Sequence, residues 1–120
     1  MIQQTLIIDD LPMSLNKLLG MHRMKRADYK KEISAKIGWF CRLQNIQPVK
    51  SPVIMQYILT FDVKRKRDYD NYLGGTKYFN DALRDASIIP EDNSEIIQGI
   101  NMTFNQGDKK QTQLIICELE

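Results

Sequence analysis

The sequence predicts an α+β fold, a two-layer α/β sandwich in which helices pack on one face of a mixed sheet. Residues 53–63 alternate apolar and mixed side chains, which is the period-two pattern of a half-buried strand. Residues 25–46 repeat apolar side chains at helical spacing. Short segments rich in isoleucine and leucine lie near both ends of the chain. Together these segments predict the element order β-α-β-α-β-β.

The composition predicts one globular domain over residues 1–120. With 42% hydrophobic residues among 120, the chain is long enough to bury a core. The net charge of +2 is small, so nucleic-acid binding cannot rest on overall charge. The cations are instead concentrated in the first third of the chain and at residues 64–67. This distribution predicts basic patches on one part of the surface.

The cysteines and the first residues predict a cytoplasmic protein that does not bind a membrane. Cys41 and Cys117 are the only cysteines and lie far apart, which argues against a disulfide framework. A single histidine, His22, and the lack of a Cys-x-x-Cys pair argue against structural zinc. The first ten residues do not resemble a signal peptide, and no apolar run reaches transmembrane length.

The first half of the chain predicts a strand, a loop and a long helix. Residues 3–8 form the strand, and the segment Asp10-Leu-Pro12 ends it. Residues 13–24 show no clean period and are predicted to form a loop. Residues 25–46 form the helix, which Pro48 ends. Its exposed face is predicted to carry Lys25, Arg26, Lys30 and Lys31, and the core is predicted to contain Trp39, Phe40 and Tyr57.

The second half predicts a strand, a helix and a hairpin. Residues 53–63 form the clearest strand, and residues 69–86 follow as a helix. Gly74-Gly75 weakens this helix by roughly 1 kcal/mol per glycine relative to alanine, so its first turn could open. Residues 96–104 and 113–119 form two strands, and the turn signal Gly107-Asp108 predicts that they pair as a hairpin.

Residues 64–71, Lys-Arg-Lys-Arg-Asp-Tyr-Asp-Asn, place four cations directly before two carboxylates. In an extended backbone Asp68 and Asp70 project on the same side, with Cα atoms roughly 7 Å apart, and repel each other. A divalent cation such as Mg²⁺ or Mn²⁺ would relieve that repulsion. The cations Lys64, Arg65, Lys66 and Arg67 suit a phosphate backbone. On these residues alone, a solvated turn after a strand is an equally good interpretation.

Four short motifs are spread along the chain: Pro12-Met-Ser-Leu-Asn16, Arg67-Asp-Tyr-Asp-Asn71, Lys77-Tyr-Phe-Asn-Asp-Ala-Leu83 and Glu91-Asp-Asn93. Together they resemble the RusA family of Holliday junction resolvases, a family often found in phages and prophages. The resemblance covers essentially the whole chain. It implies a Mg²⁺-dependent endodeoxyribonuclease that resolves four-way junctions by paired symmetric nicks in recombination and repair.

The resemblance also implies roles for individual residues. Asp68, Asp70 and Asp92 would be the metal-binding carboxylates, with Glu91 as a further candidate, and Lys77 would be the active-site lysine. If Gly74-Gly75 opens the helix, Lys64 or Lys66 would replace Lys77. The basic run, with Asn16 and Asn71, would contact DNA.

The predicted chemistry requires Mg²⁺, for which Mn²⁺ would substitute, and no small-molecule cofactor. Metal held by carboxylates supplies a nucleophilic water and neutralises charge on the scissile phosphate. A four-way junction has two-fold symmetry, so two cuts require the two active sites of a homodimer. Two alternatives stay open: a catalytically inactive or weakly active binder of branched DNA, and a less selective flap or fork nuclease.

Overall fold

One four-stranded mixed sheet organises the computed structural model, which describes residues 2–119. Along the chain the elements are β1 (Gln3–Ile8), α1 (Leu15–Leu19), α2 (Arg23–Leu43), β2 (Val53–Phe61), α3 (Tyr69–Gly75), α4 (Lys77–Asp85), β3 (Ile97–Gln106) and β4 (Gln111–Glu118). Across the sheet the strand order is β1-β4-β2-β3. Strand β4 is antiparallel to β1 and β2, whereas β3 is parallel to β2. The predicted α+β class and mixed sheet are confirmed.

The predicted hairpin of the last two strands is wrong. Strands β3 and β4 lie on opposite sides of β2 and each pairs with it. Residues 107–110 cross the end of β2, where the Gly107 N–H donates to the Phe61 carbonyl at 2.9 Å. A Cβ atom on Gly107 would lie only 2.7 Å from Thr60 Cγ2, so glycine permits this close crossing. The turn residues mark a reversal of direction, but they do not specify the neighbouring strand.

Helices α2 and α4 pack on one face of the sheet. Alternate residues of β2 are buried from Val53 to Phe61, and those between them are partly exposed. The buried side chains of β2 form one core with Ile37 of α2 and Leu83 of α4. Tyr57 lies in this core as predicted, and its hydroxyl donates to Asn80 Oδ1 at 2.6 Å.

Trp39 does not occupy the core as predicted, whereas Phe40 packs against the edge of the core. Trp39 is 57% exposed, and Phe40 is only partly buried. The buried face of α2 carries Ile33, Ile37 and Cys41. Because each residue advances about 100° around the helix axis, Trp39 falls on the side opposite these three residues.

The loop predicted for residues 13–24 contains α1 and the first two residues of α2. The structure therefore has two helices between β1 and β2, where the sequence predicts one. Ser14 Oγ accepts the Lys17 N–H at 3.4 Å and begins α1. His22 Nδ1 accepts the Met24 N–H at 3.2 Å at the start of α2. These side chains satisfy backbone N–H groups at the starts of the two helices. The helices therefore begin here although the sequence shows no regular apolar period. Among residues 2–119, none of the helices is long and apolar enough to span a membrane.

The helix predicted over residues 69–86 is divided at Thr76 into α3 and α4. The Thr76 N–H and hydroxyl both bond to the Leu73 carbonyl, at 3.1 and 2.7 Å, in place of the usual bond to the fourth preceding residue. The glycine pair does not open the first turn. A Cβ on Gly75 would overlap the Met13 carbonyl oxygen, and one on Gly74 would lie 2.9 Å from Leu15 Cδ2. The two glycines therefore let residues 13–15 approach α3 closely.

Candidate functional site

Asp68 and Asp70 lie together at the start of α3. Asp68 precedes the helix in an extended conformation, with φ −95° and ψ 131°, and its side chain makes no capping bond. Asp70 is in the first turn. Both side chains line a cavity of about 480 Å³ with Asn16 and Asn71, which we call the carboxylate cavity. Within residues 2–119, neither carboxylate is engaged in a hydrogen bond or an ion pair, so both are free to bind a cation.

The segment containing Asn16 reaches this cavity through a backbone contact. The Asn16 N–H donates to Asn71 Oδ1 at 2.8 Å and links α1 to α3 across 55 positions of sequence. Two of the predicted site residues are therefore brought together. Since the Asn71 amide oxygen already accepts this bond, its first role is to hold α1 beside the carboxylates.

Asp92 occupies a different place from Asp68 and Asp70. It does not line the carboxylate cavity, and it accepts a hydrogen bond from Arg84 Nη1 at 3.2 Å. Across the described range 2–119, no three acidic, histidine or cysteine side chains are close enough to share a metal ion. The three carboxylates predicted to bind the metal are therefore separated. Asp68 and Asp70 line one cavity, whereas Asp92 lies elsewhere and pairs with Arg84.

Asp81 was missed as a candidate by the sequence analysis, which included it only as part of the motif at residues 77–83. Its side chain is only 4% exposed, because α2 covers it. Lys30 and Lys77 place their Nζ atoms 3.8 Å from Asp81 Oδ2, and Arg84 Nη1 lies 3.9 Å from Oδ1. Burial raises the pKa of Asp81, and Asp92 adds to this rise as a hydrogen-bond partner. No local signal in the sequence indicates that Asp81 is covered by another helix.

The Asp81–Asp92 contact has the opposite effect on the second carboxyl. The hydrogen bond from Asp81, followed by the positive charge of Arg84, lowers the pKa of Asp92. Burial therefore favours the neutral form of Asp81, whereas the contacts of Asp92 favour its charged form. This cluster, Lys30, Lys77, Asp81, Arg84 and Asp92, is called the α4 charge cluster below.

Lys77 belongs to the α4 charge cluster. Its side chain is 69% exposed. Lys77 precedes Asp81 by four residues on the same helix, so its ammonium group can reach the Asp81 carboxylate. Lys30 was predicted to lie on a solvated face, and it is 47% exposed while contacting the same carboxylate. The active-site role of Lys77 stays a prediction, since the contact with Asp81 leaves most of its side chain accessible.

The basic run before α3 is divided between exposed and structural side chains. Lys64, Arg65 and Lys66 are exposed. Arg65 and Lys66 line a cavity of about 340 Å³ that also contains Asp68. The Arg67 guanidinium instead lies 3.8 Å over the Phe61 ring and donates to the carbonyls of Val63 and Arg65, at 2.6 and 3.1 Å. Arg67 thus fixes the path of the segment that presents the other cations.

The sequence matches no protein-family model and no curated protein. The assignment to the RusA family therefore rests on the four motifs and stays a prediction.

Proposed function

We propose that this protein is a Mg²⁺-dependent endodeoxyribonuclease that cuts branched DNA and has the four-way junction as its substrate. The observation that carries the proposal is the carboxylate cavity, in which Asp68 and Asp70 are unpaired. It adjoins the cavity lined by Arg65 and Lys66 through the shared residue Asp68. Negative side chains for a metal and positive side chains for phosphate are therefore neighbours.

The donor atoms of the carboxylate cavity fit Mg²⁺. They are carboxylate oxygens, and Mg²⁺ prefers hard oxygen ligands. Protein sites commonly hold Mg²⁺ by one or two carboxylates together with water and substrate phosphate. Asp68 and Asp70 would be the protein ligands, and Mn²⁺ would substitute. When bound, the metal would activate a water molecule and stabilise the negative charge that develops on the phosphoryl oxygens.

The chain's own cations would hold the DNA strand against these carboxylates. Arg65 presents a planar guanidinium that can bond two phosphate oxygens at once, and Lys66 presents a point charge. Both are exposed, so they can reach a phosphate without breaking an internal contact. Two-fold symmetry of the junction favours a homodimer, because two coordinated cuts require two such sites.

A second candidate function is binding of branched DNA with little or no cleavage. It is favoured by the position of Asp92, whose charge is neutralised by Arg84 outside the carboxylate cavity. A two-carboxylate site binds metal less tightly than a three-carboxylate site. Against this alternative, two unpaired carboxylates beside bound phosphate would weaken a protein that only binds DNA.

The test is incubation with a synthetic mobile four-way junction and with linear duplex, in Mg²⁺ and in EDTA. We expect Mg²⁺-dependent nicks in the junction only. Asp70→Asn should lower the cleavage rate by roughly 100-fold or more, about 2.7 kcal/mol, with junction binding equal or tighter. Glu95→Gln, an exposed carboxylate in another part of the surface, is the matched control. Cleavage in EDTA, or a near wild-type rate for Asp70→Asn, would refute the proposal.

A further inference from the structure

A third cavity, of about 520 Å³, lies beside the two already described, and aromatic rings contribute to its walls. Its lining includes Tyr29, Phe61 and Tyr72, and we call it the aromatic cavity. Phe61 and Tyr72 meet edge to face, with ring centroids 5.2 Å apart. The Tyr29 hydroxyl accepts the Met13 N–H at 3.1 Å, which fixes this ring against the segment that leads to α1. The aromatic wall is thus held in place by contacts within the protein.

The aromatic cavity is linked to the carboxylate cavity by residues that each shares with the cavity of Arg65 and Lys66. Ser14, Arg67 and Tyr72 line both the aromatic cavity and the cavity of Arg65 and Lys66. Asp68 and Asn71 in turn line both the latter and the carboxylate cavity. The three cavities are therefore neighbours on the surface, and the cavity of Arg65 and Lys66 adjoins both the carboxylate cavity and the aromatic cavity.

The charge of the aromatic cavity is positive. Four cations line it, Lys17, Arg65, Arg67 and Lys110, against two carboxylates, Asp10 and Asp62. The side chains of Lys17, Arg65 and Lys110 are exposed and form the rim, whereas Phe61 is buried beneath them. A wholly apolar ligand would leave the cationic rim without a partner, and a free phosphate would leave the aromatic wall without one.

We propose that the aromatic cavity binds one unpaired nucleotide of the DNA strand that the carboxylate cavity acts on. This inference rests on the proposed function for the identity of the strand. A nucleotide combines an aromatic base, which can stack on Tyr29 or Tyr72, with a phosphate that cations bind, while Phe61 supports the wall beneath the Arg67 guanidinium. The volume lies in the range of small-molecule sites, about 300–1,000 Å³, and a duplex is too wide to enter.

The geometry of a branch point supplies such a nucleotide. Extracting a base from a duplex costs a few kcal/mol, and the cost is smallest where a base is already unpaired or poorly stacked. At the crossing point of a four-way junction the stacking between arms is interrupted, so a base pair there opens at a lower cost than one inside a linear duplex. A nucleotide held in the aromatic cavity would therefore place the branch a fixed distance from Asp68 and Asp70, and linear duplex would form this contact less readily.

The test is a scan of abasic sites, moved one nucleotide at a time along a strand of the four-way junction. Binding to the wild-type protein is measured in EDTA, so that no strand is cut. We expect one position at which the missing base weakens binding by roughly tenfold, the scale of one base–aromatic stack. Tyr72→Leu should abolish this penalty, and Phe40→Leu, which replaces a partly buried aromatic residue that does not line the cavity, should retain it.

A second measurement needs no variant. The junction carries 5-iododeoxyuridine at the sensitive position, and the protein is irradiated and digested. We expect the crosslink in a peptide containing Tyr29 or Tyr72. A crosslink elsewhere, an abasic scan without a sensitive position, or no DNA binding at all would overturn the inference. If one position is sensitive but Mg²⁺ supports no cleavage, the nucleotide-binding cavity stands and the nuclease proposal is refuted. If the junction is cleaved but no position is sensitive, the nuclease proposal stands and the nucleotide-binding cavity is refuted.

Discussion

Replacing Gly75 by alanine tests whether the close approach of residues 13–15 to α3 organises the site. An added Cβ would overlap the Met13 carbonyl oxygen and lie 3.0 Å from the Met13 carbonyl carbon. These are backbone atoms, so they cannot rotate away, and the segment before α1 must move. Overpacking of this kind costs about 1–3 kcal/mol. Displacing the Ser14 cap adds about 1 kcal/mol, and the better helix propensity of alanine returns about 1 kcal/mol.

The net expectation is a loss of about 2 kcal/mol in the free energy of unfolding, measured by urea denaturation. For a domain of this size it corresponds to a fall of roughly 8 °C in Tm. The Asn16–Asn71 hydrogen bond should loosen as well, so junction cleavage should fall at temperatures where the variant is folded.

Gly38→Ala is the matched control for this prediction. Gly38 is buried in α2, yet a Cβ there would lie 3.8 Å from Arg42 Nη1, which is an ordinary contact. The same chemical change should therefore raise the free energy of unfolding by about 0.5–1 kcal/mol. A Gly75→Ala protein as stable as the wild type would refute the close approach of residues 13–15 to α3.

The remaining predictions concern the cations and the cysteines. Arg65→Ala should weaken DNA binding and flatten its salt dependence with little change in Tm. Arg67→Ala should instead lower Tm by several degrees, because its guanidinium stacks on an aromatic ring and bonds two carbonyls; equal Tm values would contradict this division. Lys77→Ala should lower the single-turnover cleavage rate with junction affinity little changed, and a wild-type rate would remove Lys77 from the site. Burial raises the pKa of Cys41 to about 11, so at pH 8 its thiol stays protonated and a thiol reagent should modify only Cys117 in the native protein. Rapid reaction of two thiols would show that Cys41 is accessible.

The sequence predicted those parts of the fold that depend on local periodicity. Strand β2 was located because one of its faces is buried, so its side chains alternate. The pairing of β3 was not predicted, because the residues around Gly107 specify a reversal and not a neighbour. The observed order places β2 between β3 and β4, so that its apolar residues have a paired strand on each side.

The candidate site shows the same division between local and distant information. The expected extended backbone across Asp68 and Asp70 is wrong, because Asp70 lies in the first turn of α3 and only Asp68 is extended. The structure nevertheless places both aspartates in one cavity. The motifs gave the identity of Asp92 but not its position beside Arg84. Asp81 was missed because burial by a second helix depends on residues about fifty positions away in sequence, which no local pattern reports.

The pairing of β1 with β4 has a consequence for synthesis on the ribosome. Gln3 lies opposite Cys117 and Ile8 opposite Thr112, so the first strand finds its partner only when the last strand is made. Such distant pairing is slow, since a long loop must close before the contacts form. Until then, neither β1 nor the edge of β2 that faces β4 has its hydrogen-bonded partner strand. A nascent chain is therefore open to aggregation until the final strand leaves the exit tunnel.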